Sequence, residues 1–180
     1  MRLEVLIVGR GGQGVLLLGK LIGVAASKYQ PLYAAVMESY ASETRGGMSR
    51  ADVVIADRPE EVLGFAGAER PDIAFILYPY DAGPLANMGE GSHAFADSYY
   101  VRELRCGACN AHLVDYTTIA TQGVGSPRFA NVVALGHAIG VTGFLDVEAA
   151  RKAIAEVVPG RYVEANVRAL ELGRSIARSA

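Results

Sequence analysis

An α/β fold is what this sequence predicts, in three layers (α/β/α) around a mainly parallel, Rossmann-like sheet. Three observations carry that prediction. The chain opens on an apolar strand that runs into clustered glycines and then a helix, Leu3–Lys20 reading LEVLIVGRGGQGVLLLGK. Strand-like apolar runs then alternate with helical or turn segments over the first half, the order that builds parallel sheets. The run Ile73–Leu77 is apolar without interruption, as a central strand covered on both faces must be.

Taken in order, Leu3 to Val8 is a strand, and the glycines at 9, 11, 12 and 14 turn it into a helix from about Gly14 to Lys28. Gln30-Pro31 stops that helix, and Leu32–Met37 is the second strand. Glu38–Ser49 is polar, contains Gly46-Gly47 and reads as a long functional loop. Arg50–Asp57 is the third strand, and Pro59-Glu60-Glu61 opens a short helix with proline and acids in its first turn. Tyr78–Gly91 is loop with a helical turn at Pro84–Met88, Ala94–Val101 an irregular strand and Leu113–Tyr116 another, followed by a short helix over Thr117–Thr121. Arg128–Thr142 is an alanine- and glycine-rich helix with one face small enough for close packing. Asp146 caps a helix that runs to Val158 and stops at Pro159-Gly160. Tyr162–Arg178 is amphipathic, its charges at Glu164, Arg168, Glu171, Arg174 and Arg178.

Composition narrows the class. With 180 residues the chain reads as a single domain, residues 1–180, long enough for a sizeable core. A net charge of −2 gives no basic field for nucleic acid. No apolar run is long enough to span a membrane and no signal peptide precedes the first strand, so the expected location is cytoplasmic. Mean hydropathy of +0.23 is on the apolar side for a soluble chain, consistent with surface covered by partner subunits or by a second copy in a homodimer, with alanine-rich helices as the alternative source.

The opening turn is the candidate binding site. Glycines permit positive φ and close approach of the backbone, and the first N–H groups of a helix point outward at the positive end of its dipole. A phosphate or pyrophosphate suits such a place. Gly9-x-Gly11-x-x-Gly14 also fits the dinucleotide fingerprint, with Glu38 as the ribose-binding acid, while a tight turn without ligand is the structural alternative. Gly14–Lys20 spells most of a P-loop, but Leu21 stands where Ser or Thr would hold magnesium, so nucleotide triphosphate hydrolysis is rejected.

GRGGQGV at Gly9–Val15, ESYASETRGGMSRADVVIAD at Glu38–Asp57 and FANVVALG at Phe129–Gly136 together resemble the gamma subunit of 2-oxoacid:ferredoxin (acceptor) oxidoreductases. The resemblance covers essentially the whole chain. It implies a multi-subunit enzyme that turns a 2-oxoacid, with 2-oxoglutarate favoured over pyruvate or ketoisovalerate, and coenzyme A into an acyl-CoA and carbon dioxide. Thiamine diphosphate and iron–sulfur clusters are implied on alpha, beta and delta partner subunits, with ferredoxin reached through the complex. Two cysteines fit that division, since they cannot ligate a four-cysteine cluster. The chain alone is then expected to be inactive, with no catalytic and no metal-ligating residue. The coenzyme A contact implied by the resemblance falls on Gly9, Gly11, Gly12, Gln13 and Gly14; Arg45 pairs a phosphate, a partner carboxylate or an acid within the chain, and Asn131 fixes local geometry, with a ligand contact as its alternative. Two rival readings are a self-sufficient dinucleotide-binding oxidoreductase and an assembly scaffold without ligand.

One motif departs from the family pattern. Cys106-Gly-Ala-Cys109 is a CxxC with His93 upstream and His112 downstream, which reads either as two free thiols in a loop or as part of a zinc or redox site. His137, on an apolar helix, reads as a core or interface histidine.

Overall fold

The computed structural model describes residues 1–40, 46–80 and 83–179, with Tyr40 described for its backbone alone. Six strands form one sheet: β1 (Arg2–Arg10), β2 (Tyr33–Tyr40), β3 (Met48–Ala56), β4 (Ile73–Ile76), β5 (His93–Asp97) and β6 (Asn110–Val114). Their order across the sheet is β2-β3-β1-β4-β5-β6. β1, β4, β5 and β6 pair in parallel, whereas β3 pairs antiparallel with both β1 and β2. All strands but β3 therefore point the same way, and the expected mainly parallel sheet is present.

Alternation along the strands sorts two cores. Val5 and Ile7 of β1, Val53 and Ile55 of β3, and Phe75 of β4 face one side, while Leu6, Val8, Ala74 and Ile76 face the other. The first side carries all five α-helices: α1 (Val15–Tyr29), α2 (Tyr116–Val124), α3 (Ala130–Thr142), α4 (Val147–Val157) and α5 (Val163–Ser179). The layer on the opposite face differs from expectation, being made of loops and the 3-10 turns Pro59–Glu61 and Gly83–Asn87, with Phe65, Ala68, Leu85, Met88 and Val101 packed on the sheet. The crossovers from β4 to β5 and from β5 to β6 run over this face. In the first of them Pro79, Gly83, Pro84, Gly89 and Gly91 interrupt the run of helix formers that a crossover helix needs.

Two further differences concern the loop expected over Glu38–Ser49. β2 continues to Tyr40 and β3 begins at Met48, so both ends of that segment, Glu38–Tyr40 and Met48–Ser49, are paired as antiparallel strand. Glu38 lies opposite Ala51 in that ladder. Residues 41–45, including Arg45, lie outside the described residues. The later elements sit a few residues from their expected bounds, with the segment Ala94–Val101 ending as strand at Asp97.

On the helical face α3 packs along α5, and α1 packs along α4. The α3–α5 seam is built of small residues. A Cβ at Gly173 would overlap the Val133 carbonyl oxygen, and one at Gly136 would overlap the Leu170 carbonyl oxygen. Residues Ala130–Ile139 of α3 are all buried, which explains why that helix is apolar on every side.

Candidate functional site

A cleft of about 180 Å³ opens where β1, β4 and β5 end, at the carboxyl edge of the parallel strands. Arg10, Gly11, Gly12 and Gln13 line one wall; Asp97, Tyr100, Thr117, Arg128 and Asn131 line the other. The opening turn forms this wall for reasons that differ from residue to residue. Gly12 has φ +95° and no heavy atom within 4 Å of a built Cβ, so it faces open space. Gly14 has φ +74° and caps α1 without a side-chain hydrogen bond, and a Cβ there would strike the Asn131 amide. A Cβ at Gly9 would come within 2.7 Å of Val15 Cγ2, so Gly9 serves packing behind the turn. Gly11 sits against Gly46, and its N–H donates to the Gly47 carbonyl at 3.0 Å.

Gln13 turns its amide inward. Its Oε1 accepts from the Arg10 N–H at 2.7 Å and its Nε2 donates to the Leu77 carbonyl at 2.9 Å, so the side chain ties the turn to the end of β4. Asn131 holds the turn from the other side: Nδ2 donates to the Gly14 carbonyl at 3.0 Å and Oδ1 accepts from the Val132 N–H at 2.9 Å. The geometry-fixing part expected of Asn131 is what its contacts describe. Lys20 is exposed on α1 and is not among the cleft-lining residues.

The cleft also contains residues that the sequence did not single out. The Arg10 guanidinium lies 4.9 Å from the Tyr78 ring centre and 5.6 Å from that of Tyr100, inside a cluster that Tyr80 and Tyr99 extend. Tyr80 OH donates to the Gly46 carbonyl at 2.9 Å, joining this cluster to the segment that backs Gly11. Arg128 is exposed at the rim. Asp97 is 1% exposed and accepts from Thr117 Oγ1 at 2.6 Å and from the Tyr99 N–H at 3.2 Å. Burial raises its pKa against these hydrogen bonds. A cation inside a glycine turn and an acid at the end of an apolar strand were the signals for Arg10 and Asp97. Arg128 had none, since only folding brings it to the cleft.

A row of aromatics runs along β5 and β6 into the helical core, half-buried at His93 and His112 and buried at Phe95, Tyr116 and His137. His93 Nδ1 and His112 Nε2 are 3.0 Å apart, and Tyr116 OH shares a hydrogen bond of 2.7 Å with His137 Nδ1. Burial, then the neighbouring His112, pushes His137 down to about 4, and burial raises the Tyr116 hydroxyl. His137 is thus a core histidine, as expected. Neither it nor any cysteine lines the cleft among the described residues. The arrangement can bind an anion with two guanidiniums and backbone amides.

Two expectations fail here. The strand beside β1 on the Glu38 side is antiparallel β3, which leaves β2 and Glu38 two strand spacings away, about 10 Å. The dinucleotide fingerprint requires its acid on the neighbouring parallel strand, so Glu38 does not serve that role. Cys106 and Cys109 are not free thiols; they are joined in a disulfide with Cα atoms 5.8 Å apart. They pack on the loop-covered face while His112 stacks on Phe95 in the helical core, so these groups do not assemble a zinc site.

Comparison with known proteins agrees with this architecture. Residues 4–176 match the family model for pyruvate ferredoxin/flavodoxin oxidoreductase. The 2-oxoglutarate synthase subunit KorC of Methanothermobacter marburgensis is 36% identical over 98% of this chain and 97% of its own. The crystal structure of a keto/oxoacid ferredoxin oxidoreductase gamma subunit from Geobacter sulfurreducens superposes with a TM-score of 0.83, at 32% identity over 99% of both chains. The 2-oxoglutarate:ferredoxin oxidoreductase of Magnetococcus marinus, solved with 2-oxoglutarate, coenzyme A and succinyl-CoA bound, shares the fold with a TM-score of 0.79 at 14% identity. This chain covers 31% of that longer one. Among the described residues no helix is long and apolar enough to cross a membrane.

Proposed function

The chain belongs to the pyruvate ferredoxin/flavodoxin oxidoreductase family as a gamma subunit of a 2-oxoacid:ferredoxin oxidoreductase, and from that premise we propose that its opening turn contacts coenzyme A within a cytoplasmic enzyme acting on 2-oxoglutarate. The preference for 2-oxoglutarate rests on the KorC relatives. In this reading residues 1–180 act as one gamma-type domain, with thiamine diphosphate and the iron–sulfur clusters carried by alpha, beta and delta subunits.

The observation that carries the coenzyme A contact is Gly12, at positive φ with open space before it, beside the uncapped start of α1 and between Arg10 and Arg128. A pyrophosphate would take backbone N–H groups from the turn, while the guanidiniums neutralise its charge. Gly9, Gly14 and Gln13 support the turn from behind, and Gly11 joins it to the Gly46–Gly47 segment. Arg45, outside the described residues, is proposed from its residue type as a contact for a phosphate or a partner carboxylate.

Size argues for a shared site. Drug-sized ligands occupy pockets of about 300–1,000 Å³. The cleft, at about 180 Å³, is smaller than that range, which supports a reading in which it takes the phosphate-bearing portion and partner subunits enclose the rest of the coenzyme.

The test is calorimetric titration of the assembled enzyme with coenzyme A, comparing the wild type with Gly12→Trp, and parallel titrations with NAD and NADP. The expected result is about a tenfold or greater loss of coenzyme A affinity in the variant, equivalent to about 1.4 kcal/mol. Unchanged affinity would leave the chain as an assembly scaffold. Binding of a nicotinamide cofactor would replace this reading with the dinucleotide enzyme.

A further inference from the structure

We propose that Cys106 and Cys109 form a reversible dithiol–disulfide couple that exchanges with an external dithiol. The two residues end the crossover from β5 to β6, on the sheet face opposite the helices. Both are half-buried, and Arg105, Gly107, Ala108 and Asn110 around them are exposed, so a small or protein-borne thiol can reach the bridge.

The backbone holds the loop without help from the bridge. The Gly107 N–H donates to the Leu85 carbonyl at 2.9 Å, and the Ala108 N–H donates to the Met88 carbonyl at 2.8 Å. A Cβ at Gly107 would lie 2.7 Å from the Ala86 carbonyl oxygen and closer still to that of Met88, so the segment is seated tightly against the turn Gly83–Asn87 and the residues after it. The two sulfurs therefore remain neighbours once the bond is broken, ready to form it again. A bridge at sequence separation 3 also closes a very short loop, which removes little freedom from the unfolded chain. A fold staple would join distant segments; this bridge joins residues that hydrogen bonds already fix. The chain has 2 cysteines in all, so neither sulfur has another resolving partner within it.

A thiolate of the external dithiol attacks one bridge sulfur, and the electron pair of the breaking S–S bond leaves on the other sulfur, which takes a proton. The second thiolate of the reductant then attacks the reductant's own sulfur in the mixed disulfide. The reductant leaves as its disulfide, and the remaining chain sulfur departs as thiolate and is protonated. The bridge gains two electrons and two protons, both supplied by the dithiol.

The test uses the full chain, natively folded, in a graded series of reduced and oxidised dithiothreitol approached from both directions, with iodoacetamide alkylation read by mass spectrometry. The expected result is loss of protection at both sulfurs together, at the same ratio from either direction, with an unchanged far-ultraviolet circular dichroism spectrum. Protection that persists until denaturant is added would overturn the proposal in favour of a closed structural bridge. So would alkylation of both sulfurs at the most oxidising ratio, or metal retained by the reduced chain. A second measurement uses Cys106→Ser with oxidised glutathione: the remaining Cys109 should take up glutathione as a mixed disulfide, and failure to do so in the folded variant would also overturn it.

Discussion

The glycines of the opening turn and those of the α3–α5 seam are the same residue used for opposite reasons. At Gly12 there is unlimited room but a backbone angle, φ +95°, that only glycine adopts cheaply. At Gly136 and Gly173 the backbone is ordinary helix, but there is no room at all, because the neighbouring helix puts its carbonyls where a Cβ would go. The first kind leaves a concave, donor-lined surface for something outside the chain. The second lets two helices approach until their backbones touch. A glycine-rich sequence thus points to a ligand only where the space before the glycine is empty.

The seam is the place to break that contrast with the largest effect. Gly173→Ala should force α3 and α5 apart and cost about 3 kcal/mol, read as a fall in the urea unfolding midpoint; a cost near zero would mean that the seam is not close-packed.

Acid attacks the same region through His137, which lies on α3. Its pKa is about 4 in the fold against an ordinary 6.5, so the folded chain keeps it neutral. Above pH 6.5 neither state binds the proton and there is no penalty. Between 6.5 and 4 the unfolded chain binds a proton that the folded chain refuses, so stability falls as pH drops, and it levels off below 4. His137→Gln should remove about 2 kcal/mol of the stability lost between pH 6.5 and 4.5, measured by urea titration at both values. Asp97 works in the other direction, its raised pKa favouring the fold as the carboxyl protonates, so the comparison of variants isolates the histidine.

Asn131 sharpens the comparison because it belongs to both regions, starting α3 while holding the Gly14 carbonyl. Asn131→Ala should cost about 2 kcal/mol in unfolding, since it leaves buried backbone partners unmet, and should also weaken coenzyme A binding by the assembled enzyme. Loss of stability without loss of affinity would show the turn to be independent of its support. Gly12→Ala is the smallest change in stability, about 1 kcal/mol from the left-handed angle, and it meets no steric obstacle in the fold. Any larger effect it has on coenzyme A affinity must then come from the ligand side, and calorimetry on the assembled enzyme separates the two.

The local physics of the turn was legible from the chain. LEVLIVGRGGQG reads as a strand ending in a glycine turn, and the helix caps Asp115 and Asp146 accept the hydrogen bonds that their residue types suggest. Pairing was less legible. An apolar run states that it is a strand, but its direction depends on where the next run returns, and β3 returned antiparallel because a short connection closed a hairpin between β2 and β3. That single reversal removed Glu38 from the neighbourhood of the glycine turn.

By itself, then, the sequence determined the elements, the turn and the family, because these depend on periodicity, glycine and motif, all of which are written locally. Only the tertiary structure decided which glycines face a ligand and which face a helix. It also decided that Gln13 bonds inward, that Arg10 and Arg128 share a cleft, and that the cysteines lie on the face away from the histidines. Each of those facts depends on contacts between residues far apart in the chain, and such contacts are fixed by packing rather than by the identity of the residues alone.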